Sequence, residues 1–488
     1  MACASAAAGG CGSGCYKDKD DEEEQQQQKQ KNEKEVLGGR GRGGVGGGRG
    51  VGHGHSLCIK CKVDEALSLS STITNTSSSS SSSNLCLGCF RSSLFAKFKQ
   101  SISSHDLISP TDNVLVAFSG GPSSRVALQF VHELQDKAQR NSEASRDNSY
   151  PVFGVGVAFI DESNISAIPS HELDKAFQDL RLIVSSLAPP QKELHVMPIG
   201  NICSSDPKEG RNRVKELLDT VTDITGKEDL LQHFRMLCLQ KIAFDNGYNK
   251  LVLGSSTSTI ACHIISATVK GQGYSLPADI QYVDARWEIP VVLPLRDCVA
   301  QELKMLCRLD GLKTLELLDG PRSGINGLVS SFIELLQEEN PSRERTIVRT
   351  AEKLTPFHFN RLPEGMNDSN DHFPSRWRRR KRLNLKSDES MPSEFLCPIC
   401  CSPLNKSDVE SLTNKLGSCE TSSEIFGLSC CPSCQFQILP KEVSSMMQFY
   451  SHLPQPMIAR AKDCLNGDQT WLRERIEDCL LSDNEDGT

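Results

Sequence analysis

The sequence predicts an α/β protein with a doubly wound parallel sheet, flanked by two small cysteine-rich modules and preceded by a polar tail. Three features predict this. Short apolar runs alternate with amphipathic segments from residue 111 to about residue 330. A double Cys-x-x-Cys motif stands on each side of that stretch. The first 54 residues are rich in glycine, glutamine and charge, a composition that cannot bury enough apolar surface to form a core.

The first predicted strand is residues 114–118, Val-Leu-Val-Ala-Phe. A run that is apolar on both faces is typical of a parallel strand buried between two helical layers. Residues 124–140 carry apolar side chains at helical spacing, which predicts an amphipathic helix. The alternation then continues with strands at 152–160, 194–199 and 250–254 and with helices at 173–187 and 229–246.

A last strand is predicted at residues 288–295. Its prolines, Pro290 and Pro294, favour an edge position, because proline cannot donate a hydrogen bond to a ladder. Helices are predicted after it at 298–309 and 328–339. Parallel strands joined through helices connect by right-handed crossovers, which predicts the doubly wound arrangement.

Composition divides the chain into six segments. We expect a disordered Gly- and Gln-rich tail, an N-terminal zinc knuckle module, the α/β domain, a helix with a basic linker, a C-terminal zinc module and a C-terminal helix with an acidic tail. Their predicted bounds are 1–54, 55–100, 101–330, 331–395, 396–440 and 441–488.

Charge and cysteine content exclude several classes of protein. The chain has 54 Lys and Arg against 62 Asp and Glu, a net charge of −8, so nucleic acid could contact only a local basic patch. The first residues lack the apolar core of a secretory signal, and no apolar run is long enough to span a membrane. We therefore expect a cytoplasmic protein in which the 21 cysteines stay reduced and bind metal or do chemistry.

A glycine turn follows the first strand. Residues 119–124, Ser-Gly-Gly-Pro-Ser-Ser, can turn tightly and point backbone N–H groups at an oxyanion. The positive end of the following helix would add to this attraction. No lysine follows, so the turn is not a Walker A loop, and a plain tight turn is the alternative. The candidate nucleotide-binding residues here are Ser119, Gly120, Gly121, Ser123 and Ser124.

This turn resembles the SGG-x-D-S motif of the PP-loop ATP pyrophosphatases, which adenylate a carbonyl oxygen before a nucleophile attacks it. Residues 160–163 after the second strand resemble their second motif, and Asp161 becomes a further candidate for nucleotide binding. Within that group the chain is similar to the cytoplasmic tRNA 2-thiolation protein 2 family. That similarity runs from the N-terminal cysteine pairs to the C-terminal ones through residues 253–255, 269–273, 295–297 and 325–327.

The resemblance implies 2-thiolation of the wobble uridine (mcm5s2U) of certain cytosolic tRNAs. It implies a heterodimer with a catalytic PP-loop paralogue, and sulfur supplied by a thiocarboxylated ubiquitin-like carrier protein. ATP with Mg²⁺ is the cofactor that the resemblance implies for the turn.

Departures from the family pattern indicate lost catalysis. Ser123 stands where active relatives have Asp, and residues 254–259 carry no carboxylate where those relatives have GHN-x-DD. Beside Arg235, our alignment places Glu228 and Leu231 where thiolating relatives have a cysteine pair. Neither can carry sulfur. We therefore assign no catalytic residue. Cys203 and Cys238 are loose candidates for a nucleophile, and for Cys238 a buried core thiol is the favoured interpretation.

The paired cysteines indicate two zinc sites. Each pair can offer two thiolates to one metal, and two pairs complete a tetrahedral shell, with zinc favoured over iron. Unrelated redox pairs are the alternative, and Cys401 and Cys430 leave open which thiolates bind in the second set. The predicted ligands are Cys58, Cys61, Cys86 and Cys89 in the N-terminal cluster, and Cys397, Cys400, Cys431 and Cys434 in the C-terminal cluster.

One basic run interrupts the linker. Its aromatic residue could stack on an unpaired base while the cations neutralise phosphates. Contact with tRNA, a nuclear-import signal and a solvated linker all fit this composition. The run consists of Arg376, Trp377, Arg378, Arg379, Arg380, Lys381 and Arg382.

Three hypotheses follow for the whole chain. The first is a non-catalytic or weakly catalytic subunit of a tRNA-thiolating heterodimer, with no membrane association. The second is a self-sufficient ATP-dependent tRNA sulfurtransferase that uses acids from elsewhere. The third is a zinc-based RNA-binding scaffold without a nucleotide role.

Overall fold

Six strands form one sheet in the order β3-β2-β1-β4-β6-β5, seen in a computed structural model of the chain. The structure describes residues 57–67, 84–144, 151–163, 165, 170–315, 323–340, 342–354, 396–404, 408 and 421–462. The strands are β1 (Asn113–Ala117), β2 (Gly154–Asp161), β3 (Glu193–Pro198), β4 (Lys250–Val252), β5 (Val283–Asp284) and β6 (Val291–Val292).

All pairings are parallel except that of β5 with β6. Because the chain adds β2 and β3 on one side of β1 and β4 and β6 on the other, the strand order reverses at β1. In doubly wound sheets, ligands bind beside the carboxyl ends of the strands at such a switch point. The predicted fold class is confirmed.

The helices fill both faces of the sheet and both ends of the described chain. Their bounds are α1 (Leu87–His105), α2 (Pro122–Ala144), α3 (Ser170–Ser185), α4 (Pro207–Thr220), α5 (Ile224–Asp245), α6 (Thr257–Val269), α7 (Leu276–Asp279), α8 (Ala300–Leu309), α9 (Gly324–Glu339), α10 (Arg343–Ala351), α11 (Ser422–Ser429), α12 (Pro432–Gln437) and α13 (Val443–His452).

Alternate residues of β1 enter opposite layers of the core. Val114 and Val116 pack with α1, α2, α3 and α8, whereas Leu115 packs with α5, α6, α9 and α10. Successive strand side chains point to opposite faces, so a strand covered on both sides must be apolar throughout. This explains the uninterrupted apolar run that predicted the strand.

The expected edge strand at residues 288–295 was wrong. Only Val291 and Val292 pair, and they lie between β4 and β5. Pro290 and Pro294 flank the paired residues, so their missing N–H groups disturb no ladder bond. The antiparallel edge is instead β5, which is too short to give an alternating sequence signal.

Several helices were not predicted, α4 and α6 among them. Asp206 caps α4, accepting a hydrogen bond from the Lys208 N–H at 2.9 Å, and Pro207 occupies its first turn. Ser256 caps α6, whose β-branched sequence has a low helix propensity. Packing of its apolar face against the sheet overrides that propensity.

The cysteine modules share the core of the α/β part. Phe90, Leu94 and Phe98 of α1 enter the same apolar cluster as β1. On the opposite side, a second cluster joins Cys397 and Phe449 to α4 and α5. The described residues belong to one compact unit. None of their helices is both long and apolar enough to cross a membrane.

Candidate functional site

The turn after β1 is held by its own hydroxyl groups. Gly120 has a φ of 89°, in the left-handed region that favours glycine. The Ser124 hydroxyl donates to the Gly121 carbonyl at 2.9 Å and accepts from the Ser119 N–H at 3.3 Å. The Ser119 hydroxyl lies 3.1 Å from that of Ser124. These bonds fix the start of α2 beside the switch point.

Among the described residues, one side of the turn is covered and the other is not. Leu315 donates its N–H to the Gly120 carbonyl at 2.9 Å, and a Cβ added to Gly120 would lie 2.8 Å from the Leu315 Cβ. Gly254, just after β4, packs equally closely, because its Cβ would lie 2.6 Å from the Ser124 Cα. A Cβ on Gly121 would meet only the Ser119 hydroxyl, at 3.8 Å. An anion could therefore approach the turn from the side of Gly121.

Asp161 and Ser123 belong to the same edge of the sheet as the turn. Asp161 ends β2, which runs parallel to β1, and its carboxylate accepts from the Ser163 N–H at 2.9 Å. Ser123 is half-buried in the first turn of α2. The structure thus brings all the predicted nucleotide-binding residues to the carboxyl ends of β1 and β2.

The hydroxyls after β4 support the fold. Ser256 accepts from the Thr259 N–H at 3.3 Å, Thr257 donates to the Arg296 carbonyl at 2.7 Å, and Ser258 accepts from the Ala300 N–H at 2.9 Å. Ser256, Thr257 and Ser258 are all buried. These hydroxyls cap the start of α6 and bind it to the backbone of residues 296 and 300.

Glu228 and Leu231, which the sequence analysis predicted to stand at sulfur-ligand positions, also make structural contacts. The Glu228 carboxylate accepts from the Ser323 N–H at 2.8 Å, from the Ser323 hydroxyl at 2.7 Å and from the Asn326 side chain at 3.0 Å. Leu231 packs against the apolar cluster of the C-terminal cysteines. Arg235 forms an ion pair with Glu162, next to Asp161. Glu228 therefore binds the start of α9 to α5.

A buried ion pair adjoins Glu228, and the sequence did not assign it. The Lys270 ammonium lies 2.8 and 2.9 Å from the two Asp229 oxygens, and Asn326 contacts both residues. Lys270 and Asn326 lie in two of the segments that carry the family resemblance. That resemblance was the sign in the sequence that pointed to these two residues. Asp229, Lys270 and Asn326 lie far apart in the sequence, so no local pattern could reveal that they contact one another.

The two thiols considered as nucleophiles, Cys203 and Cys238, are poorly suited to that role. Cys238 is fully buried in α5, and burial raises the pKa of its thiol to about 12. Burial likewise raises the pKa of Cys203 to about 12. Since the thiolate is the nucleophile, neither would react readily near neutral pH. For Cys238 the core-thiol interpretation is confirmed.

The N-terminal cluster brings its four predicted ligands together. The Sγ atoms of Cys58, Cys61, Cys86 and Cys89 all lie within 4.8 Å of one another. Cys86 is also the N-cap of α1 and accepts from the Cys89 N–H at 3.4 Å. A bridge between Leu57 and Glu65 closes the first knuckle.

The C-terminal cluster repeats this construction. Its four Sγ atoms, from Cys397, Cys400, Cys431 and Cys434, also lie within 4.8 Å of one another. Lys62 and Cys401 each stand four residues after the first cysteine of their cluster, and each has a φ of 56°. A bridge between Leu396 and Pro403 closes the second knuckle.

Sulfur spacing in both clusters fits a tetrahedral metal. Four sulfurs at a zinc–sulfur distance of ~2.3 Å stand about 3.8 Å apart. The Sγ atoms of Cys61 and Cys86 are 3.7 Å apart, and those of Cys400 and Cys431 are 3.6 Å apart. None of the eight cluster cysteines forms a disulfide.

The electrostatics of the C-terminal cluster favour a cation. Burial opposes ionisation of Cys397, yet hydrogen bonds from neighbouring thiols, Cys400 first, hold the pKa of Cys397 well below its usual range. The same bonds to Cys397 raise the pKa values of Cys400 and Cys434 well above theirs. Four buried thiols this close together cannot all ionise without a cation between them, and a divalent ion would let them do so.

The basic run, from Arg376 to Arg382, lies outside the described residues, as do the acidic tail and the Gly- and Gln-rich segment. Contact between this run and RNA stays a prediction.

Comparison with known proteins identifies close relatives of this chain. A protein of Arabidopsis thaliana named Cytoplasmic tRNA 2-thiolation protein 2 is 58% identical over 401 residues, which is 82% of this chain and 87% of that protein. A protein of the same name from Oryza sativa subsp. indica is 50% identical over 83% of this chain and 86% of that protein. The family model with that description matches residues 324–426.

A solved structure also overlaps this fold in part. It is the U34-tRNA thiolase NcsA from Methanococcus maripaludis with its 4Fe-4S cluster, with a TM-score of 0.44 and 16% identity. The overlap covers 61% of this chain and 87% of that protein. A TM-score below 0.5 does not by itself establish a shared fold.

Proposed function

The chain belongs to the cytoplasmic tRNA 2-thiolation protein 2 family, and on that premise we propose that it is a subunit of a complex that 2-thiolates the wobble uridine of cytosolic tRNAs. A catalytic PP-loop paralogue is its partner in a heterodimer, and a thiocarboxylated ubiquitin-like carrier delivers the sulfur. The family name gives the cytoplasm as its location, as the sequence predicted.

One observation carries the proposal of a non-catalytic or weakly catalytic role. At the two positions where active relatives of the resembled family hold acids and sulfur ligands, this chain has residues whose polar atoms are occupied by structural hydrogen bonds. Thr257 and Ser258 hydrogen-bond to the backbone of residues 296 and 300, and Glu228 hydrogen-bonds to Ser323 at the start of α9. Chemistry at these positions would require those bonds to break first.

The turn after β1 keeps a role in this proposal as a vestigial or regulatory cradle for an adenine nucleotide, with Mg²⁺ accompanying ATP. Support comes from the uncovered side of Gly121 at the switch point of the sheet. A substitution of Gly121→Val should lower nucleotide affinity at least about tenfold, since it places a branched side chain where the anion would lie. Gly273→Val is the matched control, because Gly273 also has open space around it. Unchanged affinity in Gly121→Val would retire the cradle.

Each cysteine cluster fits one structural zinc ion. Four thiolates would hold that ion in a closed shell, so the metal would stabilise its knuckle and leave no open coordination position for chemistry. We expect two zinc ions per chain, measurable by elemental analysis of the purified protein. Iron at either cluster would contradict this assignment.

The decisive experiment measures ATP turnover and thiouridine formation by the purified chain, alone and with the PP-loop paralogue. We expect thiolation only by the pair. Robust turnover by the chain alone would support a self-sufficient sulfurtransferase instead. Failure to bind either ATP or the paralogue would favour a zinc-based scaffold that contacts RNA, for instance through the basic run.

A further inference from the structure

An apolar stripe on α9 faces solvent. Leu328 is 74% exposed, Phe332 48% and Leu335 60%. These positions follow the i, i+4, i+7 spacing of a single helix face and span about 11 Å. The opposite face of α9, with Val329 and Ile333, is buried against the core. Helix α9 is thus apolar on two sides, and its packing within the described chain accounts for only one of them.

The helix that carries this stripe is rigidly placed. Glu228 binds Ser323 and Asn326 at its start. Gly324, with a φ of 57°, packs so closely on Thr225 that a Cβ would lie 2.4 Å from the Thr225 hydroxyl. The N–H of Ile325 donates to that hydroxyl at 3.1 Å. A preorganised surface loses little conformational freedom on binding, which favours affinity.

The charge of α9 argues against nucleic acid as the occupant. Its charged residues are Glu334, Glu338 and Glu339, and it contains no Lys, Arg or His. Phosphates would be repelled, whereas a protein surface with an apolar centre and a rim of Lys or Arg would be complementary. Contiguous exposed apolar surface of this kind is typical of protein interfaces.

Resting on the proposed function, we propose that the α9 stripe, Leu328, Phe332 and Leu335, is the docking surface for the catalytic PP-loop paralogue. Among the partners which that function requires, tRNA is a poor match for a stripe whose own helix carries acidic residues and no basic ones. A sulfur carrier must leave after each delivery, whereas a stripe with no charge at its centre suits a lasting contact. Glu228, at the position aligned with a lost sulfur ligand, now secures the helix that carries the partner's surface.

The test compares binding of the paralogue to the full-length chain and to its Phe332→Glu variant. A charge at the centre of the stripe should weaken binding about 30-fold or more. Leu182→Glu on α3 is the matched control, since Leu182 is 62% exposed on a helix that belongs to another face of the sheet, and it should bind normally. Leu328→Ser with Leu335→Ser provides a milder second variant. Circular dichroism and metal content establish that each variant is folded.

Amide hydrogen exchange of the wild-type pair supplies a readout without substitutions. We expect protection of residues 324–339 on complex formation. The inference is overturned by a complex that survives both stripe variants with its affinity unchanged. It is also overturned if those variants abolish only self-association or only tRNA binding. Failure of the proposed function would look different, because the wild-type chain would then not bind the paralogue at all.

Discussion

The two cysteine clusters have the same ligands and the same knuckle geometry, but they are coupled to the fold in different ways. The N-terminal cluster joins residues 57–67 to the start of α1, and α1 is anchored independently by phenylalanines in the main core. The C-terminal thiols are themselves members of an apolar cluster with α4 and α5. Two sites of identical chemistry should therefore differ in how far the loss of metal spreads.

Loss of a metal ligand from the C-terminal cluster should have the largest effect on stability. Replacing Cys434 by Ser removes a fully buried ligand, so we expect the loss of one zinc ion and destabilisation by about 4 kcal/mol or more. The helices α4 and α5 should loosen along with it. Chemical denaturation and elemental analysis measure both effects. A variant that keeps its stability after losing zinc would show that this cluster is no more integrated than the other.

Breaking the buried ion pair between Asp229 and Lys270 should have the next largest effect on stability. Lys270→Met leaves Asp229 buried and unpaired, which we expect to cost about 3 kcal/mol. The Lys270 carbonyl also accepts from the Ser433 hydroxyl at 2.9 Å, so the strain should reach the C-terminal knuckle. The double variant Asp229→Asn with Lys270→Met should recover part of the loss in a denaturation experiment. No recovery would indicate that the pair is not a coupled unit.

The N-terminal cluster should respond more locally. Cys61→Ser should remove one zinc ion but cost only about 2 kcal/mol, because Phe90 and Phe98 keep α1 in the core. Hydrogen exchange should increase in residues 57–67 and stay unchanged in the second half of α1. Global unfolding on this substitution would remove the contrast between the two clusters.

Substitution of Glu344, which belongs to α10 and to neither cysteine cluster, should have the smallest effect on stability. Its carboxylate is fully buried, and although Ser258 and Gln337 stabilise the charged form, burial outweighs them and raises its pKa above the usual value. The folded state then holds the proton more tightly than the unfolded chain does. Its contribution to stability is therefore fully present below the ordinary Glu pKa and is lost as pH rises through the raised value.

The substitution Glu344→Gln should remove that pH dependence. It should raise stability at neutral pH by on the order of 1 kcal/mol, while leaving stability at low pH nearly unchanged. Thermal unfolding across the range above pH 4 measures the slope. An unchanged slope would show that Glu344 does not titrate in the folded protein.

Sequence patterns predicted some features better than others. The buried strands were visible because a strand covered on both faces must be continuously apolar, and the two clusters were visible because chelation by paired cysteines requires close spacing. The placement of residues 288–295 at an edge failed, because two prolines show only which N–H groups are missing. Whether those groups would have faced a neighbouring strand depends on pairing.

The role of Glu228 shows the other limit. Our alignment predicts that Glu228 stands at a sulfur-ligand position of thiolating relatives, but only the fold shows that its carboxylate binds Ser323 and Asn326. The same holds for Thr257 and Ser258, whose hydroxyls contact residues about forty positions away.

The amino-acid sequence alone determined the class of fold and the two sets of paired cysteines, because each depends on local periodicity or on spacing along the chain. Tertiary structure alone decided what Glu228, Thr257 and Ser258 contact, which cluster is part of a core and which face of α9 remains exposed. Those properties depend on which distant segments meet, and burial and hydrogen bonding between such segments follow from the folded chain as a whole.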